Sequence, residues 1–166
     1  MSSFPEPTEP AGSRDEVFLR YLDHFRETTL TKVAALPDAA RRASVLPSGW
    51  TPLELLQHLR YVELRWIEWG FLGRPVADPW GDRREGRWYV ARSFEEVAEA
   101  LRAQGAYTRE VVESSDLAAI GAPGPRWDGA PPASLERILF HLLQEYARHT
   151  GHLDVVTELA GGPVGE

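Results

Sequence analysis

Apolar residues recur at helical spacing in four separate stretches of the chain, and the alternate-residue spacing of a half-buried strand is nearly missing. Each stretch carries its own start signal. Ser13-Arg-Asp-Glu16, Thr51-Pro-Leu-Glu54 and Ser93-Phe-Glu-Glu96 fit the capping box, in which a hydroxyl and a glutamate satisfy free amides of a first helical turn. Pro52 stands where a helix does not need an amide proton. Ser134 opens the last stretch, with Glu136 near the positive end of the helix dipole. Helices are therefore predicted from about Arg14 to Ala35, Pro52 to Phe71, Phe94 to Ser114 and Leu135 to Ala160. Pro37 stops the first, Gly73 and Pro75 the second, and Gly161, Gly162 and Pro163 the last. Arg87-Trp-Tyr-Val-Ala91 is the one short piece that reads as extended.

Four long amphipathic helices without a sheet predict an all-α four-helix bundle. Residues 13–162 form the expected domain, and residues 1–12, polar and broken by proline, a flexible tail. The connections over residues 73–92 and 116–133 are longer than bundle turns, and loops of that length tend to serve function. They are placed to wall a site at one end.

Composition narrows the chemistry. A chain of 166 residues without cysteine has no disulfide framework, no thiolate ligand and no cysteine nucleophile. Twenty-five acidic against 18 basic residues, a net charge of −7, argue against a nucleic-acid partner. No stretch is apolar enough to span a membrane and no signal peptide is recognisable, so the expected location is the cytoplasm. Six tryptophans exceed what such a core needs; they either pack core and loops or line a small-molecule pocket.

Strides of four and three along the last helix join Ile138, Leu142, Glu145, His149, His152 and Val156 in one stripe. Ionisable groups on an apolar line need an explanation, because a buried unpaired carboxylate is costly. Glu145 and His149, one turn apart with Cβ atoms about 5–6 Å from each other, can converge on one cation. A third ligand must come from another helix. His58 lies on the second helix in a stripe with Leu55, Val62, Trp66 and Trp69, and it can face that pair. Two histidines and a glutamate with a position left open are the pattern of a catalytic metal site. The rival reading is a buried salt link from Glu145 to Arg148 or His141. His141, one turn before Glu145, and His152 are candidates for supporting contacts, and His24 reads as structural or surface.

At Phe18-Leu-Arg-Tyr-Leu-Asp-His-Phe-Arg26, Leu46-Pro-Ser-Gly-Trp-Thr-Pro-Leu53, Gln57-His-Leu59 and Glu145-Tyr-Ala-Arg-His-Thr-Gly-His-Leu153 the chain resembles the DinB-like metalloprotein superfamily. It is most similar to the actinobacterial branch with the mycothiol-dependent S-transferases and maleylpyruvate isomerase. The resemblance implies a bundle with one metal ion on His58, Glu145 and His149. Where many members of that superfamily carry histidine at the first position of the closing motif, this chain has Glu145, as the mycothiol-isomerase-like members do. His152 stands where glutamine is usual.

The function expected from both lines is a metal-dependent transferase of a low-molecular-weight thiol such as mycothiol onto small electrophiles, with isomerisation or hydrolysis as variants. The alternative is a non-catalytic, stress-related bundle that binds metal or a small ligand. Zinc suits the donor set first, and nickel, iron or cobalt are tolerated. Trp66, Trp69, Trp80 and Trp88 are candidate walls of the substrate pocket, and Gly81-Asp-Arg-Arg-Glu-Gly-Arg87 reads as a solvated charged loop or a contact for anions. A di-iron oxidase would need two Glu-x-x-His motifs, which the chain lacks. Pairing of two copies through helix faces is expected from the resemblance.

Overall fold

A computed structural model describes residues 4–162 and Val164. Helices α1 (Arg14–Ala35), α2 (Asp38–Arg41), α3 (Pro52–Leu64), α4 (Phe94–Glu113) and α5 (Leu135–Leu159) carry the fold, and α1, α3, α4 and α5 make the bundle. Around it α3 borders α4 and α5, and α1 borders the same two. Capping boxes close at Thr51 with Glu54 and at Ser93 with Glu96. At α1 only half of the box forms. The Ser13 hydroxyl accepts from the Glu16 amide, while the Glu16 carboxylate accepts from the amide of Gly12. The helix stop expected at Pro163 lies outside the described residues, as do residues 1–3 of the expected tail. Residues 4–12, expected to be flexible, lie along α1. Phe4 meets Tyr21, His24 and Phe25 edge-on, and Arg20 donates to the carbonyl of Pro10 at 2.9 Å. No helix among the described residues is long and apolar enough to cross a membrane.

The second predicted helix changes character halfway. After Leu64 it widens into a π-helix over Arg65–Phe71. Gly70 permits this, since a Cβ there would press to 3.2 Å from the Arg65 carbonyl oxygen. Widened turns of this kind often mark functional positions. The loop beyond holds a two-stranded hairpin, β1 (Arg83–Arg84) and β2 (Arg87–Trp88). Its turn residues Glu85 and Gly86 both have positive φ, the twist that suits a two-residue hairpin. The second long loop carries a short 3₁₀ turn at Pro125–Trp127.

Within the aliphatic bundle interior lies a polar centre to which all four bundle helices contribute. Glu63 on α3 is fully buried and receives Nε and Nη2 of Arg26 (α1) at 3.1 and 2.9 Å. The Thr108 hydroxyl (α4) donates to it at 2.6 Å, and the Tyr146 hydroxyl (α5) donates to its other oxygen. Each of the four bundle helices supplies one member. Burial works to lower the Arg26 pKa, but the facing Glu63 carries it above the ordinary arginine value. Gly105 on α4 makes room, because a methyl group there would overlap the Arg26 guanidinium.

Two outcomes test this centre. Arg26→Met, which strips Glu63 of its buried counter-charge, is expected to destabilise the fold by about 3–5 kcal/mol in urea titration, and Arg26→Met with Glu63→Met to recover much of that loss. Equal loss in both variants would refute the pairing. Gly105→Ala, which in an open helix would stabilise by up to ~1 kcal/mol, is expected here to lower the melting temperature.

Candidate functional site

The structure brings His58, Glu145 and His149 together. One donor atom from each lies within 4.8 Å of those of the other two. His58 comes from the middle of α3, and the pair one turn apart comes from the middle of α5, where the two helices border each other. The rings of His58 and His149 meet edge-on with centroids 5.1 Å apart. Glu145 Oε2 lies 3.2 Å from His149 Nε2, and Oε1 lies 3.4 Å from His141 Nε2. Of the salt links expected as the rival reading, the one to His141 is present, and Arg148 stays exposed.

The stripe inferred on the last helix needs correction. The core line of α5 runs through Ile138, Leu142, Tyr146, His149, Leu153 and Val156. Glu145 is only half-buried and His152 is exposed. The alternation of strides overstates the apolar arc, because three residues advance about 300° around a helix and leave His152 on the solvent side of His149. His152 still touches the site, its ring edge-on to that of His149 at 5.5 Å. His24 is half-buried against Phe4 and Phe25, away from the cluster.

Sequence reasoning missed the residue that orients His58. Asp82, from the loop read as charged and solvated, is fully buried, and its Oδ2 lies 2.9 Å from His58 Nδ1. Arg65, in the π-helix, donates to both Asp82 oxygens at 2.7 and 3.2 Å. Burial alone would raise the Asp82 pKa, but the hydrogen bonds from His58 and Arg65 prevail and hold it below the usual carboxylate value. Burial lowers the His58 pKa, against the pull of Asp82, which favours a neutral ring. A neutral His58 that donates from Nδ1 to Asp82 keeps its Nε2 lone pair for an electrophile. Carboxylate–histidine pairs of this sort set tautomer and orientation at metal sites.

The donor set fits a metal ion on further grounds. The Nδ1 of His149 is buried without a hydrogen-bond partner among the described residues. The hydrogen bond from His149 lowers the Glu145 pKa, so that carboxylate is ionised at neutral pH. Trp88 of β2 stacks flat on His58 at 4.3 Å and stands edge-on to His149 at 5.3 Å, which screens one side of the cluster from water. Of the other predicted walls, Trp66 lies against His141, ring centroids 4.8 Å apart, and Trp69 against Trp80.

In the metal-free protein, ¹⁵N NMR is expected to show His58 as the Nδ1–H tautomer. Asp82→Asn should shift it toward the Nε2–H form, and a wild-type ring already in that form would contradict the orientation drawn here.

Comparison with known proteins bears on the same residues. No curated protein matches the chain. The crystal structure of a DinB-like protein from Bacillus cereus ATCC 10987 superposes with a TM-score of 0.64 at 21% identity, covering 91% of this chain and 95% of that one. At that identity the likeness speaks for the fold alone. The sequence profile described as mycothiol-S-transferase matches residues 17–162, a span that holds all four bundle helices' cores and the three converging side chains. The chain therefore belongs to the mycothiol-S-transferase family.

Proposed function

We propose that His58, Glu145 and His149 hold one divalent metal ion and that the protein transfers a low-molecular-weight thiol of the mycothiol type onto small electrophiles. The observation that carries this reading is the convergence of three donors within 4.8 Å in a family of thiol transferases. A divalent cation there, zinc before nickel, iron or cobalt, would supply the charge that keeps a thiol deprotonated at neutral pH.

The chain's own residues account for the rest. With no cysteine, the nucleophilic sulfur has to arrive with the cosubstrate. Asp82 keeps the His58 proton on Nδ1, away from the donor cluster, and Arg65 keeps Asp82 ionised. Glu145, half-exposed between two imidazoles, supplies the negative charge of the donor set, and the thiol's proton passes to the solvent that reaches it. Trp88 excludes water beside His58. The new bond joins the thiolate sulfur to an electrophilic carbon, which expels its leaving group as an anion or, for an activated double bond, takes up the proton.

Metal analysis and thiol conjugation test the reading together. Purified protein is expected to bind about one equivalent of zinc, and His58→Ala and His149→Ala to lose most of it; Asp82→Asn should weaken zinc about 10–100-fold. With mycothiol and monochlorobimane, the zinc-loaded protein should form the conjugate and the chelated protein should not. Full zinc occupancy in both histidine variants would remove the ligand assignment. Zinc binding without conjugation of any electrophile tested would favour the non-catalytic binding protein instead.

A further inference from the structure

The solvent side of α5 is apolar where a helix that met only water would be charged. Phe140 and Val155 are each 55% exposed, and Leu159 near the helix end is 62% exposed. From Arg137 to Glu158 the outermost line of the helix reads Phe140, Gln144, Ala147, Gly151 and Val155, all exposed. At 3.6 residues per turn these positions fall within about 80° of arc, on the side opposite Leu142, Tyr146 and Leu153, and the line runs for about 30 Å. On it, charge stands only at the two ends.

Gly151 adds an independent sign. Glycine weakens the middle of a helix, and the bundle keeps it at Gly105 because Arg26 needs the room. At Gly151 a Cβ would meet nothing within 4 Å, so no described residue of this chain calls for the glycine. On an outer face, a missing side chain serves the close approach of another surface. Beside Phe140, α5 and α1 form a groove of about 500 Å³, lined by Phe18, Glu136, Arg137, Phe140, His141 and Gln144. Val155 and Leu159 stand out from the far end of the same helix. A groove and a protrusion of like chemistry on one helix suit a two-fold pair, in which each copy offers both.

We propose that two copies of this chain pair through α5, antiparallel, about a two-fold axis that passes between Ala147 and Arg148. Gln144 and Gly151 lie three residues to either side of that point, Phe140 and Val155 seven, and Arg137 and Glu158 ten. Each Phe140 therefore meets the partner's Val155, each Gln144 rests on the partner's Gly151, and each Arg137 faces the partner's Glu158. Charge selects this direction. The side chains of Arg137 and Glu158 make no ion pair among the described residues, and the antiparallel pair supplies each with an opposite charge. A parallel pair would set arginine on arginine and glutamate on glutamate. The mean spacing of the line, close to 3.5 residues, suits two helices that wind gently around each other. The partner's Val155 and Leu159 then enter the groove. His141 in its lining reaches Glu145 at 3.4 Å, so the interface ends one side chain away from the donor cluster.

Sedimentation equilibrium of the full chain is expected to give twice its mass of 18.6 kDa. Phe140→Glu, which places a charge where the monomer meets water, should sediment as a monomer and keep its helical circular dichroism. Arg137→Glu and Glu158→Arg should each weaken association at least about tenfold, and the two together in one chain should restore it. The native chain has no cysteine, so introduced ones report contacts directly. Gln144→Cys chains mixed with Gly151→Cys chains should form the mixed disulfide on mild oxidation, in preference to either homodisulfide. A wild type that is monomeric at every concentration, or that associates only with a foreign protein, would overturn the pairing. A dimer that persists in Phe140→Glu uses another face and overturns it equally. A doubly charge-reversed chain that stays weakened, or homodisulfides in place of the mixed one, would overturn the antiparallel arrangement.

Discussion

The bundle is organised around a carboxylate that has no access to water. Glu63 is the acceptor for donors from the other three bundle helices, and each donor is fixed to one side-chain position on its own helix. Aliphatic packing tolerates small slides of one helix along another, whereas a hydrogen bond weakens steeply with distance and angle. Satisfying a buried anion therefore fixes the relative heights of α1, α3, α4 and α5 more sharply than the leucines around it do. The arginine that balances it depends in turn on Gly105, a residue a helix interior would otherwise avoid.

That constraint reaches the functional site through short lengths of helix. Glu63 lies five residues beyond His58 on one helix, and Tyr146 directly follows Glu145 and precedes His149 by three on the other. Bolting Tyr146 to Glu63 thus fixes α3 against α5 within two turns of the place where their imidazoles and carboxylate meet. Metal ligands tolerate misplacement poorly, so a rigid polar link beside them favours pre-formed geometry over assembly by the ion. The remaining freedom, rotation of the His58 ring, is removed by Asp82, and Asp82 is held by Arg65 at the start of the π-helix.

The four long helices were legible because capping residues and 3.6-residue periodicity are local signals, and the observed ends of α1, α4 and α5 fall within a residue of those expected. The three converging side chains were legible because helical spacing stacks Glu145 over His149 and the apolar stripe turns His58 inward. Asp82 was not. It stands among arginines in a stretch whose composition reads as solvated, and only the return of the hairpin, a contact 24 residues distant from His58, buries it. The π-helix was missed for a related reason, since its residues keep a helical pattern and Gly70, which permits the widening, reads in sequence as one more helical position. The centre at Glu63 left a trace that could have been read. Arg26 follows Leu19 and Leu22 on one apolar stripe while Glu63 follows Leu56 and Leu59 on another, and opposite charges on two core lines call for each other.

The division between helices and loops also separates two kinds of chemistry. The donors proposed for the metal sit on the bundle, whose geometry is locked by the Glu63 centre, and the aromatic rings packed against its histidines come from the segments between helices: Trp88 on the hairpin and Trp66 on the widened segment. On the proposed reading, in which the nucleophile comes with the cosubstrate, the core has to supply little more than a fixed cation site. Specificity then resides where sequence can change without disturbing helix packing. The positive charge of Arg126 is affordable on such a loop because Trp66 supports the guanidinium face and solvent reaches part of it, while the same unpaired arginine at the depth of Arg26 would unfold the bundle. Support on an aromatic face at the edge of the fold is what lets a single small domain keep a cation without a carboxylate partner among the described residues beside a rigid, fully paired centre.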